Sequence, residues 1–191
     1  MKASLPLTLV LLAVTTAGAT AQQPRRPPPE TADHAKADKV ECGPQGELPK
    51  AWQGQAFAID GTTLAGIGLK PHLRLWGIQT AELRDKQTGQ ETVPGMRARA
   101  ALADLLAKSD HKLKCRPIKF DRTCHVVAQC SLDDAQAGDL GGGLIAAGMA
   151  YGFLLDDSPA WEPRAGQRYA DAEFEARKAK RGLWPMWLGD K

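Results

Sequence analysis

Several short segments of the chain are mainly apolar, as β-strands often are. Turn-forming pairs separate these segments: Asp60-Gly61, Lys70-Pro71 and Asp121-Arg122. We therefore expect five short strands, at residues 55–59, 63–67, 72–76, 112–120 and 125–130.

Three other segments are predicted to be helices, the first of them from its apolar spacing. Residues 96–108 follow Pro94 and Gly95 and place their apolar side chains on one face. A shorter helix is predicted at residues 140–150, although it contains Gly141, Gly142 and Gly143, each of which costs about 1 kcal/mol relative to alanine. The last helix is predicted at residues 168–181, with Gly182 as the residue that ends it.

Residues 1–21 have the organisation of a cleavable signal peptide. Lys2 supplies a positive charge, residues 5–14 are apolar, and Ala19-Thr20-Ala21 fits a cleavage site before Gln22. The apolar run is too short to span a bilayer. We therefore expect an exported protein, periplasmic or extracellular, whose mature chain does not insert into a membrane.

Residues 22–41 are rich in proline, charged and small residues, so we expect a linker without a packed core. One folded domain is predicted at residues 42–188. The chain has 191 residues, of which 43% are hydrophobic, and this is enough for one core. The formal net charge of +3 does not by itself indicate a nucleic-acid-binding protein.

The four cysteines are interpreted through the predicted export. In an oxidising compartment an even number of cysteines favours disulfides, and four cysteines allow three pairings. Cys115 and Cys130 flank the predicted hairpin, so we expect them to pair, with Cys42 and Cys124 as the second bridge. The alternative is a metal site of Cys115, Cys124, His125 and Cys130, but its spacing lacks the closely paired ligands of zinc sites.

Two segments resemble the active-site hairpin of the thermonuclease (staphylococcal nuclease-like) family. They are Asp60-Gly61-Thr62-Thr63-Leu64 and the segment from Leu73 to Glu82, where the family has D-G-D-T and R-L-x-x-[IV]-D-T-P-E. Three further segments follow in the family's order, at residues 121–128, 139–150 and 172–184. The resemblance covers roughly residues 50–185 and implies an α+β fold, a five-stranded OB-fold β-barrel with about three helices.

This resemblance also implies a chemistry, the hydrolysis of phosphodiester bonds in DNA or RNA. It assigns the activation of water to Glu82 and the binding of phosphate to Arg74, whose guanidinium can contact two oxygens at once. His125 occupies the position of the family's second arginine, and Arg122 and Thr80 are expected to contact the substrate. Glu82, Arg74 and His125 would then form a base, a clamp and an acid that need no metal. The simpler alternative for His125 is a strand residue without a catalytic role.

Calcium binding is where the chain departs most from this family. The family uses two aspartates, and Thr62 and Gln79 occupy their positions. Both are neutral, whereas calcium affinity depends on the charge of the ligands. We therefore expect no tight metal site and leave Asp60 as a weak ligand for calcium or another divalent cation.

Three functions are compatible with these residues. The first is an exported nuclease with weak or lost activity, and the second is a non-catalytic OB-fold module that binds single-stranded nucleic acid or a protein partner. The third is a structural protein of the cell envelope. Residues 97–122 carry eight Lys or Arg against three Asp, which favours a salt-dependent contact with a phosphate backbone. The sequence does not indicate an oligomeric state.

Overall fold

The computed structural model describes residues 47–132 and 138–189. These residues form seven strands and four helices in the following chain order: β1 (Trp52–Ala58), β2 (Thr63–Gly66), β3 (Leu73–Leu75), β4 (Ile78–Gln79), α1 (Val93–Ala107), β5 (Lys112–Phe120), β6 (Val126–Leu132), α2 (Leu140–Ala146), β7 (Tyr151–Gly152), α3 (Ala165–Lys178) and α4 (Trp184–Trp187).

Five of the strands form a closed barrel in the order β1-β2-β3-β6-β5. All neighbours in the barrel are antiparallel except β3 and β6, which are parallel. The predicted α+β fold with a five-stranded OB-type barrel is therefore confirmed. The predicted bounds of β5 agree with the structure, and β1 begins three residues earlier than predicted.

The alternation of residues in β5 and β6 separates the interior of the barrel from its outer surface. Leu113, Cys115 and Pro117 are buried, whereas Lys114 and Arg116 are exposed. Cys115 pairs with Cys130 across the two strands, both side chains are at most 2% exposed, and their sulfurs form a disulfide. The first predicted disulfide is confirmed, and it excludes the alternative zinc site because two of its four ligands are consumed.

The second predicted disulfide, between Cys42 and Cys124, involves Cys42, which lies outside the described residues. The predicted signal peptide and the whole of the predicted linker also lie outside them. These predictions stay untested by the structure.

The helices begin and end differently from the prediction at several points. Helix α2 ends at Ala146, because Gly148 turns the chain with a φ of +70°. Helix α3 runs from Ala165 to Lys178, and its C-cap residue is Ala179. Gly182 therefore does not end this helix, although the sequence predicted that it would. Gly182 is needed instead for close packing, since a Cβ there would lie 2.5 Å from the carbonyl oxygen of Gly148.

Strands β4 and β7 and helix α4 were not predicted. Each strand has only two residues, which is too short for an alternating pattern, and the two pair with each other outside the barrel. This pairing places Gln79 opposite Tyr151, beside the end of β3. Within the described ranges, no helix is both long and apolar enough to cross a membrane.

Candidate functional site

The turn between β1 and β2 is organised by the carboxylate of Asp60. Its Oδ1 accepts hydrogen bonds from the backbone N–H groups of Thr62 and Thr63, each at 2.7 Å, and from Thr62 Oγ1 at 3.0 Å. Such side-chain bonds to the next residues are typical of an aspartate that begins a turn. The turn packs on Thr80, because a Cβ at Gly61 would lie 2.5 Å from Thr80 Oγ1. Thr62 and Thr80 are both buried, so neither hydroxyl faces solvent.

Arg74 projects from β3 between two partners that carry acceptor oxygens. Its Nη2 donates to Gln79 Oε1 at 3.0 Å, and its Nη1 lies 3.9 Å from Asp121 Oδ2. The side chain is 33% exposed. Strand β3 pairs in parallel with β6, opposite Val127, and this brings the guanidinium beside the turn that precedes β6.

Asp121 begins that turn and holds it with one carboxylate oxygen. Asp121 Oδ1 accepts from the backbone N–H and the hydroxyl of Thr123, each at 2.8 Å, and from the N–H of His125 at 3.0 Å. Burial alone would raise the pKa of Asp121. The hydrogen bonds from Thr123 and His125 and the charge of His125 outweigh burial and hold this pKa below its usual value.

His125 is oriented by the same group of side chains. Its Nδ1 lies 2.6 Å from Thr123 Oγ1 and 3.4 Å from Asp121 Oδ2. Because the Thr123 hydroxyl gives its single hydrogen to Asp121, its oxygen can only accept from His125 Nδ1–H. The neutral ring therefore carries its hydrogen on Nδ1, and Nε2 is the nitrogen that can exchange a proton with a ligand. The ring of His72 stacks against it with centroids 6.3 Å apart.

Glu82 lies on the loop that packs against the start of α1. Its carboxylate is 60% exposed and is 3.7 Å from Lys86 Nζ, while its carbonyl oxygen accepts from Thr92 Oγ1 at 2.6 Å. Within the described ranges, no hydrogen bond or ion pair joins the Glu82 carboxylate to Arg74 or His125. The structure thus brings Arg74 and His125 together around Asp121 and places Glu82 on a separate, exposed loop.

Arg122, the other predicted phosphate ligand, is exposed at the tip of the turn. Among the residues that the structure describes, its side chain has no hydrogen-bond or ion-pair partner. Its charge is therefore available to a ligand that approaches this end of the barrel.

The resemblance to thermonucleases implies a calcium ion, which would need oxygen donors from the side chains around Asp60. The Thr62 hydroxyl donates to Asp60, and Gln79 Oε1 accepts from the cationic guanidinium of Arg74. Calcium takes six to eight oxygens and binds tightly only where several are negatively charged. In the described part of the chain, no three His, Cys, Asp or Glu side chains lie close enough together to hold a metal. These side chains do not fit a tight calcium site.

Sequence reasoning missed Asp121 and Thr123 as parts of the site. Asp121 was interpreted as a turn residue, which it is, but the same carboxylate also faces Arg74 and His125. The available signal was local: an aspartate followed two residues later by threonine and four residues later by histidine can hydrogen-bond both.

The sequence was compared with the models of known protein families, and one family model matches it. The sequence model of the family described as staphylococcal nuclease homologue matches residues 72–186, which is more than half of the 191-residue chain. The matched segment contains Arg74, Glu82 and the turn from Asp121 to His125, whereas β1, β2 and Asp60 precede it. A search of curated proteins finds no match.

Proposed function

This chain belongs to the family of staphylococcal nuclease homologues, and from that premise we propose that it is an exported protein that binds single-stranded nucleic acid and cleaves RNA slowly without calcium. The observation that supports this proposal is the arrangement of Arg74 and His125 on either side of Asp121. Attack on a phosphodiester builds negative charge on the phosphate oxygens, and a fixed cation such as Arg74 stabilises it.

The proposed reaction uses the 2′-hydroxyl of RNA as the nucleophile. Glu82 accepts the hydroxyl proton, the 2′-oxygen forms a bond to phosphorus, and the bond from phosphorus to the 5′-oxygen breaks. Protonated His125 gives its Nε2 proton to that leaving oxygen, while its Nδ1–H stays hydrogen-bonded to Thr123. The products are a 2′,3′-cyclic phosphate and a 5′-hydroxyl. In this proposal Glu82 would act from its exposed loop.

A cleavage assay on residues 22–191 tests this function. Labelled RNA and DNA of one sequence are incubated with chelator, with calcium and with manganese. We expect cleavage of RNA in chelator, no cleavage of DNA, and cyclic phosphate ends. Because a general acid contributes about 10²- to 10⁴-fold, the rate should fall by at least about 100-fold in His125→Gln.

His34→Gln, in the predicted linker, is the matched control and should keep the wild-type rate. Glu82→Gln should also be slow, which excludes a contaminating nuclease. Calcium-dependent cleavage of DNA, abolished in Glu82→Gln, would contradict the proposal and indicate the family's metal-dependent chemistry.

A second candidate function is a module that binds nucleic acid without cleaving it. The exposure of the Glu82 carboxylate and its pairing with Lys86 favour this alternative, because a base should lie beside the reacting group. Such a module would bind single strands with an affinity that falls with salt and does not change in Glu82→Gln. If neither binding nor cleavage is observed, the partner to seek is a protein.

A further inference from the structure

A groove of about 610 Å³ lies on the outer surface of the barrel, away from Arg74 and His125. It is bordered by the hairpin of β5 and β6 and by the segment before α3. We propose that this groove binds one nucleotide of a single strand, with the base stacked on Trp161 and the phosphate held by Arg116. The inference rests on the proposed function, because the groove would bind a further nucleotide of the same nucleic-acid strand that Arg74 binds. Residues lining the groove include Arg116, Gln129, Ser131, Asp139, Trp161 and Arg168.

The indole of Trp161 is exposed but fixed in place. It is 42% exposed, and its Nε1–H donates to Gln129 Oε1 at 2.7 Å. Gln129 Nε2 donates in turn to Glu162 Oε2 at 2.5 Å, and Glu162 Oε1 accepts from Arg168 Nε at 2.8 Å. A ring held by such a chain loses little conformational entropy on binding. An exposed, rigid aromatic ring of this kind is a stacking surface for a base.

Arg116 supplies a positive charge at the groove that an anionic ligand can use. The guanidinium carbon of Arg116 lies 5.7 Å from the Trp161 ring centroid, and Arg116 has no ion-pair partner among residues 47–132 and 138–189. The other arginine, Arg168, is already neutralised by Asp139 at 2.6 Å and Glu162 at 2.7 Å. Arg116 is thus the cation that can bind phosphate beside the stacked base. A neutral sugar would stack on tryptophan but would not need this charge.

The strand register connects this groove to the candidate site. Val127 and Gln129 alternate along β6 and so face the same side of the barrel, and His125 directly precedes this strand. Arg116 pairs with Gln129 and Arg74 with Val127, which places both arginines on that side. His125 and Gln129 are four residues apart, about 13 Å along the strand. At the rise of about 3.4 Å per nucleotide of a stacked strand, four nucleotides span this distance.

Oligonucleotide binding tests the groove without requiring cleavage. Fluorescence anisotropy is measured with a thymidine 12-mer and a thymidine dinucleotide, both DNA and therefore not cleaved by the proposed reaction. We expect Trp161→Ala to weaken 12-mer binding by about tenfold, as for the loss of one stacked base. Arg116→Gln should lower the slope of log affinity against log salt by about 0.7. Dinucleotide binding should change less than 12-mer binding in both variants, because a dinucleotide is too short to span Arg74 and the groove.

Phe174→Ala is the matched control, because Phe174 is an aromatic residue on α3 that is also largely exposed. It should bind both oligonucleotides like the wild type. Trp161→Phe keeps a stacking ring without the hydrogen bond to Gln129 and should fall between the wild type and Trp161→Ala. Circular dichroism confirms that each variant is folded.

The outcomes separate the groove from the proposed cleavage. If both Trp161→Ala and Arg116→Gln bind the 12-mer with wild-type affinity, the groove is not a nucleotide site. This result would leave the cleavage proposal unaffected. Trp161-dependent binding of chitotetraose, with none of the 12-mer, also overturns the nucleotide site and assigns a neutral sugar instead. Trp161-dependent binding of the 12-mer in a protein that cleaves no RNA supports the groove, while the cleavage proposal fails.

Discussion

The carboxylate of Asp121 receives three hydrogen bonds from its own turn and lies between the side chains of Arg74 and His125. The local bonds follow from the spacing of Asp121, Thr123 and His125 and could be predicted. The contact with Arg74 could not, because it depends on the parallel pairing of β3 with β6. Residue types and spacing thus identified Arg74 and His125 as candidates but not the group that holds them together.

The lowered pKa of Asp121 makes its contribution to stability depend on pH. The contribution is complete above the unfolded pKa of about 3.9 and is lost as the pH falls through the lower folded pKa. We expect Asp121→Asn to be less stable than the wild type by about 1 kcal/mol at pH 7. The difference should shrink below about pH 3.9 in urea denaturation.

The matched control for this pH dependence is Asp104→Asn, on the exposed side of α1. In this variant the free energy of unfolding should change between pH 7 and pH 2 as it does in the wild type. A constant difference between Asp121→Asn and the wild type from pH 7 to pH 2 would mean that the carboxylate charge is not what stabilises the turn.

The hydrogen bond from His125 Nδ1 to Thr123 fixes the tautomer of the neutral ring. In Thr123→Val this acceptor is removed and Asp121 Oδ2 remains 3.4 Å from Nδ1, so we expect part of the population to shift from the Nδ1–H to the Nε2–H tautomer. The nitrogen-15 chemical shifts of the ring, measured at pH 8, report the position of the hydrogen. Thr88→Val is the control, since Thr88 forms the same hydroxyl bond to Asp85 in another turn. If the neutral ring of the wild type carries its hydrogen on Nε2, then Nδ1 does not donate to Thr123 and the assigned hydrogen bond is wrong.

At the scale of elements, the start of α1 sets the position of the Glu82 loop. Thr92 caps the helix by accepting from the N–H of Gly95, and its hydroxyl donates to the Glu82 carbonyl. Gly95 lets the backbones touch, because a Cβ there would lie 2.3 Å from the Glu82 carbonyl oxygen and 2.5 Å from Leu83 Cα. The helix therefore fixes the loop that carries the predicted base.

Gly95→Ala tests this close approach. Alanine favours the helix, but the added methyl group overlaps backbone atoms that cannot move freely. We expect a net destabilisation of about 1–3 kcal/mol in urea denaturation and slower RNA cleavage. Gly143→Ala in α2 is the control, because its Cβ would first meet Leu105 Cδ1 at 3.5 Å. It should stabilise the protein by up to about 1 kcal/mol. Equal stabilities of the two variants would exclude the proposed overlap.

The elements that the sequence predicted are those in which side-chain periodicity decides the structure. Five barrel strands and three helices have such a pattern, as β5 shows with strict alternation of exposed and buried residues before its bulge. Strands β4 and β7 exist because tertiary packing brings two short segments together. The end of α2 likewise depends on Gly148, whose backbone approaches Gly182 and Arg181. The pairing of β4 with β7 has no local signal, whereas Gly148 is a local signal for the end of α2 that the predicted bounds did not use.

For the whole molecule, the Cys115–Cys130 disulfide joins β5 and β6 inside the barrel. The bridge closes a loop with a sequence separation of 15 residues, for which the entropic effect on the unfolded chain is about 3 kcal/mol. We expect the double variant Cys115→Ala, Cys130→Ala to lose about this much free energy of unfolding, measured in urea. Dithiothreitol added to the wild type should lower its stability at least as far. A loss below about 0.5 kcal/mol would show that hairpin packing alone holds these strands.

The barrel closes through pairs far apart in the chain: Trp52 pairs with Cys115, and Gln55 with Lys112. During synthesis, β1 can pair with β2, but its other edge has no partner until β5 has been made. Pairing over such a separation is slow, because a long segment must be ordered before its contacts form. A chain exported as we propose would be threaded through a membrane unfolded. The slow pairing would then keep the domain in a translocatable state until β5 has crossed and can complete the barrel on the far side.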